Sequence, residues 1–144
     1  MRAQVLIASL ILAAGCTTQP PRAFMGPKLG RFSYDALLAA SPLAAGENVR
    51  ARELERGANS SISLVQIRDR EQPHIHTRYD LSVVLAKGTG TLWLNGSALP
   101  MHEGDTAFIP KGTPHYFINE GTEPAAALVV FAPAFTEPDQ QLAP

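Results

Sequence analysis

The chain has 144 residues, 45% of them hydrophobic and 17% charged, which suffices for one domain with a real core. Its formal net charge is −1, without the clustered basic face that a nucleic-acid partner needs. Its single cysteine, Cys16, excludes an intrachain disulfide as a source of stability.

Residues 1–15 read as a processing signal. Arg2 supplies a positive start, and Val5 to Ala14 is apolar except for Ser9. That run is too short for a membrane span, which takes roughly 20 residues. Residues 16–31 read as a tether, rich in polar residues and in the breakers Pro20, Pro21, Gly26, Pro27 and Gly30. An N-terminal extension over 32–48 carries a short predicted helix from Ser33 to Ala40. Ser33 is its N-cap, Asp35 lies in the first turn and Pro42 is the stop.

Over 49–132 the texture changes to short apolar runs between turn signals, the pattern of an all-β domain. The predicted strands are Val49–Leu54, Ser61–Ile67, His74–His76, Leu81–Ala86, Gly90–Leu94, Ala98–Met101, Thr106–Ile109, His115–Ile118 and Ala126–Ala132. Asn95-Gly96 marks a tight hairpin, because this dipeptide readily takes the positive φ of a type I′ turn. Residues 133–144 hold Pro133, Pro138 and Pro144 and read as a loose tail.

The histidines carry the chemistry. His74 and His76 stand two apart, so on a strand both imidazoles point to one face and can converge on one ion. Asp80 follows four residues later, near enough to return a carboxylate after a turn. His115 comes directly after Pro110-Lys111-Gly112-Thr113-Pro114, a stiff turn-forming stretch that aims one side chain. His102, in Met101-His102-Glu103-Gly104, reads as a solvated turn residue. Trp93, Arg78, Tyr79 and Tyr116 read as packing or strand-surface residues.

The stretch from Gly104 to Asn119 resembles the second motif of the cupin superfamily. That motif runs glycine, five residues, proline, one, glycine, two, histidine, three, asparagine. Gly104, Pro110, Gly112, His115 and Asn119 match it without gaps. The stretch His74-Ile75-His76-Thr77-Arg78-Tyr79-Asp80 resembles the first motif. There, His-x-His is followed by three or four residues, a glutamate, six residues and a glycine. The chain departs from it in three ways. Arg68 stands at the leading glycine, Asp80 replaces the glutamate, and seven residues separate Asp80 from Gly88. A one-residue bulge would absorb the last difference. Separately, Leu12-Ala13-Ala14-Gly15-Cys16 resembles the lipobox of bacterial lipoproteins, with Ala13 where that family prefers leucine.

The cupin resemblance implies a double-stranded β-helix, a jelly-roll-like barrel, holding one divalent metal ion on His74, His76, Asp80 and His115. Three histidines and a carboxylate suit Mn, Fe, Ni, Zn or Cu, and ligand type does not choose among them. Open coordination positions would admit a small-molecule ligand or substrate. The fold hosts several chemistries, so three readings stay open: an oxygenase- or isomerase-like metalloenzyme with no catalytic residue beyond the ion assigned, a non-catalytic metal- or ligand-binding domain, and an inert barrel that forms a homodimer. The lipobox resemblance implies lipidation of Cys16 and a membrane anchor on the periplasmic side of the envelope. Thr17, rather than aspartate, after the cysteine favours the outer membrane where the cell has one.

Overall fold

The computed structural model describes residues 22–143. The signal segment, Cys16 and the first part of the tether lie outside the described residues. The rest of the stretch read as tether is not a linker. Ala23–Gly26 (β1) and Gly30–Ser33 (β2) pair as an antiparallel hairpin. The breakers Gly26, Pro27 and Gly30 form its turn, with Gly30 at φ 74. Glu55 Oε1 accepts the amides of Lys28 at 2.8 Å and Leu29 at 3.1 Å, fastening that turn to the body. The predicted helix is present as Tyr34–Ala40 (α1). Ser33 Oγ accepts the Ala36 amide at 3.1 Å, a cap worth about 1 kcal/mol.

Ten further strands follow: β3 (Val49–Arg56), β4 (Ser61–Ile67), β5 (His74–His76), β6 (Asp80–Lys87), β7 (Thr89–Leu94), β8 (Ser97–His102), β9 (Thr106–Ile109), β10 (His115–Asn119), β11 (Ala125–Ala132) and β12 (Gln140–Leu142). All nine predicted strands are among them. Asn95 and Gly96 take φ 49 and 81 between β7 and β8, the positive angles that a type I′ turn requires. Ala126 pairs with Lys87 and Ala127 with Leu85, so Ala86 is the extra residue of a bulge in β6.

The strands form two five-stranded antiparallel sheets, in the orders β3-β4-β11-β6-β9 and β12-β5-β10-β7-β8. The expected barrel is therefore an open sandwich. Among the described residues no strand pairing joins one sheet to the other, so β3 and β12 are edges, as are β9 and β8. The tail is also not loose. Pro133 and Pro138 precede β12, which adds to β5 with Gln140 opposite His76 and Leu142 opposite His74.

β4 is buried on both sides, and the two sides have different partners. Val65 and Ile67 join Leu81, Leu85, Leu92 and Phe117 in the main core. Leu64, facing the other way, packs with Phe24, Leu37, Leu54 and Ala126. The hairpin and α1 thus cover an apolar sheet face that would otherwise meet water.

Candidate metal centre

β5 lies between β12 and β10, with His115 opposite His74 across the ladder. His74 and His76, two apart, share the buried face of β5 while Ile75 turns away. The ring centroids of His74 and His115 lie 4.4 Å apart, and those of His76 and His115 5.6 Å apart. One ligand nitrogen from each of the three rings lies within 4.8 Å of the others. The turn before β10 is docked onto this strand. The Gly112 amide donates to the His76 carbonyl at 2.6 Å, with Gly112 at φ 78, and the Asn95 amide donates to the Pro114 carbonyl at 2.8 Å.

Every ring is held through Nδ1. His74 Nδ1 lies 2.7 Å from the Gln72 carbonyl, and His115 Nδ1 lies 2.9 Å from the Thr113 carbonyl. His76 Nδ1 lies 2.6 Å from Asp139 Oδ1. A carbonyl or carboxylate partner makes Nδ1 the donor, which leaves Nε2 of each ring free with its lone pair. Three neutral imidazoles fixed in that tautomer fit a divalent transition ion by the chemistry of the donor set.

The fourth expected ligand, Asp80, is not brought to the histidines. Its Oδ1 accepts the Lys111 amide at 2.9 Å. Four residues from His76 and six to Gly88 put Leu81 at the position of the motif's glutamate, and Leu81 is buried in the core. Neighbours on a strand face opposite sides, so the one-residue offset turns Asp80 away.

Two other carboxylates were not singled out by the sequence reading. Asp139 is buried, orients His76, and accepts the Arg78 amide at 2.8 Å through its second oxygen. It belongs to no motif and lies 63 residues from His76, so no local signal marks it. Glu71 reaches the interior from the segment before β5, and its Oε2 accepts the Phe117 amide at 2.9 Å.

Burial pushes the His115 protonation down to about 4, and repulsion from His74 and His76 adds to it, against the Thr113 carbonyl bond. Burial also lowers that of His76, with Asp139 opposing. Burial raises Asp139, but the bonds from His76 and from the amides of Arg78 and Thr77 outweigh it and hold the carboxylate below its ordinary range. Glu71 is raised by burial, with His74 and the Phe117 amide opposing. His76 and His115 are therefore favoured as neutral rings beside one ionised orienting carboxylate, the state that binds metal.

The remaining residues have structural places. The side chain of His102, the last residue of β8, is 77% exposed. Trp93 and Tyr116 stack at 5.9 Å as a cross-strand pair. Asn119 donates to the carbonyls of Arg68 at 2.8 Å and Glu123 at 2.9 Å, closing the loop after β10. Tyr79, expected at the strand surface, is instead buried. Its hydroxyl takes the Thr136 amide at 3.0 Å and pins the segment before β12.

Behind the histidines lies a cavity of about 490 Å³ between the sheets. His76 and His115 line it, together with Leu81, Val83, Leu92 and Phe117. Its volume lies in the range of small-molecule sites.

Comparison with known proteins agrees with this architecture. The cupin domain family profile matches residues 62–131. An uncharacterized protein of Aquifex aeolicus (strain VF5) is 38% identical over 93 residues, covering 65% of this chain and 76% of that protein. TT1209 from Thermus thermophilus shares the fold at TM-score 0.56 and 24% identity, over 62% of this chain and 87% of that one. So does a Streptomyces PAC13 structure with uridine, at TM-score 0.53 and 20% identity, over 65% and 84%. A third is KdgF from Halomonas sp., at TM-score 0.54 and 21% identity, over 60% and 81%. With both motifs, the two facing sheets and these relatives in hand, the chain belongs to the cupin superfamily.

Proposed function

We propose that this chain is an envelope-anchored metalloenzyme that acts on a small molecule, with His74, His76 and His115 holding one divalent ion that keeps open coordination positions. The observation that carries the reading is the convergence of three imidazoles, each fixed through Nδ1, at the wall of an interior cavity. A closed structural site surrounds its ion with protein ligands, whereas here Leu81 stands where a fourth ligand would come from.

When bound, the ion supplies Lewis acidity to an oxygen of the substrate. The chain's own residues do the rest. Gln72, Thr113 and Asp139 hold the ring nitrogens in one tautomer. Phe131, 5.7 Å from the His76 ring, and Leu81 exclude water from one side. Glu71 lines the same cavity and can hold a proton near the substrate. The small-molecule reading is supported by the PAC13 structure with uridine, a related fold holding a small molecule. Anchoring rests on the Gly15-Cys16 junction after the apolar run.

The test is cobalt(II) loading of the purified chain, followed by azide addition. One equivalent should bind, and its visible spectrum should change with azide, because an open position exchanges its ligand. A cobalt spectrum indifferent to azide would describe a closed site and overturn the catalytic reading. For the anchor, fatty-acid labelling should vanish in Cys16→Ser, and labelling that persists would refute it.

A further inference from the structure

Three features of the cavity point to one kind of occupant. The first is its composition. The wall is built by both sheets from Val83, Leu85, Leu92, Met101, Ile109 and Phe117, and among the described residues no lysine or arginine lines it. A phosphate or a second carboxylate held in the body of the cavity, away from the histidines and their ion, would therefore lose its water without gaining a cation. The lining carboxylates Glu53 and Asp139 would repel it further. A sugar or nucleoside fares little better, since most of its hydroxyls would face methyl groups and rings instead of water.

The second feature is Leu81. Where the superfamily motif places a carboxylate beside the ion, this chain places a buried leucine that pairs with Phe131, itself in contact distance of the His76 ring. The apolar wall thus runs up to the histidines, and a ligand bound there would meet hydrocarbon immediately beyond its donor atoms. The third is access. The exposed lining residues Val49, Ala51 and Glu53 belong to β3, and exposed Gln140 to β12, the two sheet edges at the same side of the sandwich. The opening between the unpaired edges is the entrance. Apolar interior space left unfilled costs stability, so retaining it calls for an occupant.

We propose that the cavity takes a compact, largely apolar molecule with one oxygen-donor head group, and that it selects against phosphorylated and polyhydroxylated substrates. The head meets the ion and the hydrocarbon body fills the space between the sheets, with Leu81 as the residue that sets this preference next to the ion. The inference rests on the metal reading for the position of the head group, but the apolar body rests on the cavity alone.

The test uses straight-chain alkyl hydroxamates from two to eight carbons as probes on the cobalt-loaded chain. Affinity should tighten about fourfold per added methylene, equivalent to ~0.8 kcal/mol, until the cavity is full. Hexanohydroxamate should bind at least tenfold more tightly than uridine or glucose 6-phosphate. Ala127→Leu, which narrows the cavity away from the histidines, should keep acetohydroxamate binding and abolish the gain for the long chains. Thermal melting confirms that the variant is folded, and Val83→Leu is the second variant if it is not. A flat series, or tighter binding of uridine or glucose 6-phosphate, overturns the proposal. Should cobalt fail to bind, the metal reading falls, and the cavity is read on the metal-free chain instead. There, submillimolar n-hexanol and n-octanol should raise the melting temperature in order of length while glucose does not. No rise would overturn the proposal independently of the metal.

Discussion

His115 shows how a single buried ring ties metal affinity to stability. Its protonation is pushed from an unfolded value of roughly 6.5 down to about 4 in the fold. Between those values the unfolded chain binds the extra proton and the folded chain does not. Stability of the metal-free protein is therefore full above about pH 6.5 and is lost as pH falls towards 4, by on the order of 3 kcal/mol from this group. Urea unfolding at pH 7 and pH 4.5 should show a smaller acid-induced drop for His115→Gln than for wild type, and an equal drop would contradict the assignment. The three histidines were legible in the sequence because strand alternation and a stiff proline-glycine turn leave few places for them to point. The carboxylate was not. Asp80 and Leu81 are neighbours, and a one-residue offset on a strand reverses which of them faces inward. What decides it is the pairing of β6 with β9 and β11, which no local pattern encodes.

β12 is the element whose role the sequence concealed most. Three prolines within twelve residues suggested a loose end, yet two of them only shape the path to a strand that completes a sheet. The segment is clamped twice, by the Tyr79 hydroxyl at Thr136 and by Asp139 at His76 and Arg78. Asp139 acts through His76, fixing its tautomer, so it is a positioning residue. Removing such a partner typically weakens metal affinity by 10- to 100-fold. Asp139→Ala should do so while the chain stays folded, measured by competition against a chromogenic chelator. Unchanged affinity would show that the contact is structural only. The hairpin of β1 and β2 was hidden in the same way, since its turn uses the glycine and proline residues that also mark linkers. By contrast, Ser33 and Asn95-Gly96 act through bonds or angles within a few residues, and both stand where the sequence put them.

At the scale of the whole molecule, the nine predicted strands and their antiparallel texture follow from period-two patterning. Closure does not. Whether the edges of two sheets meet depends on strand twist and on what covers each face, and here they stay apart. That open side gives the cavity its entrance. Covering the opposite face of the first sheet falls to α1 and the hairpin, which lets β4 be buried on both sides and lets its inward residues line a cavity. The sandwich thus supplies one rigid wall for the histidines and another for the ligand. The central claim is that three histidines, without Asp80, hold one ion. It is tested by metal content per chain, measured by elemental analysis after dialysis, for wild type, His76→Ala, His115→Ala, Asp80→Asn and the control His102→Ala. Asparagine at position 80 keeps an acceptor for the Lys111 amide while removing the charge. Wild type, Asp80→Asn and His102→Ala should each retain about one equivalent of metal, and the two other histidine variants should be folded and empty. An empty Asp80→Asn, or a full His115→Ala, would contradict the three-histidine centre.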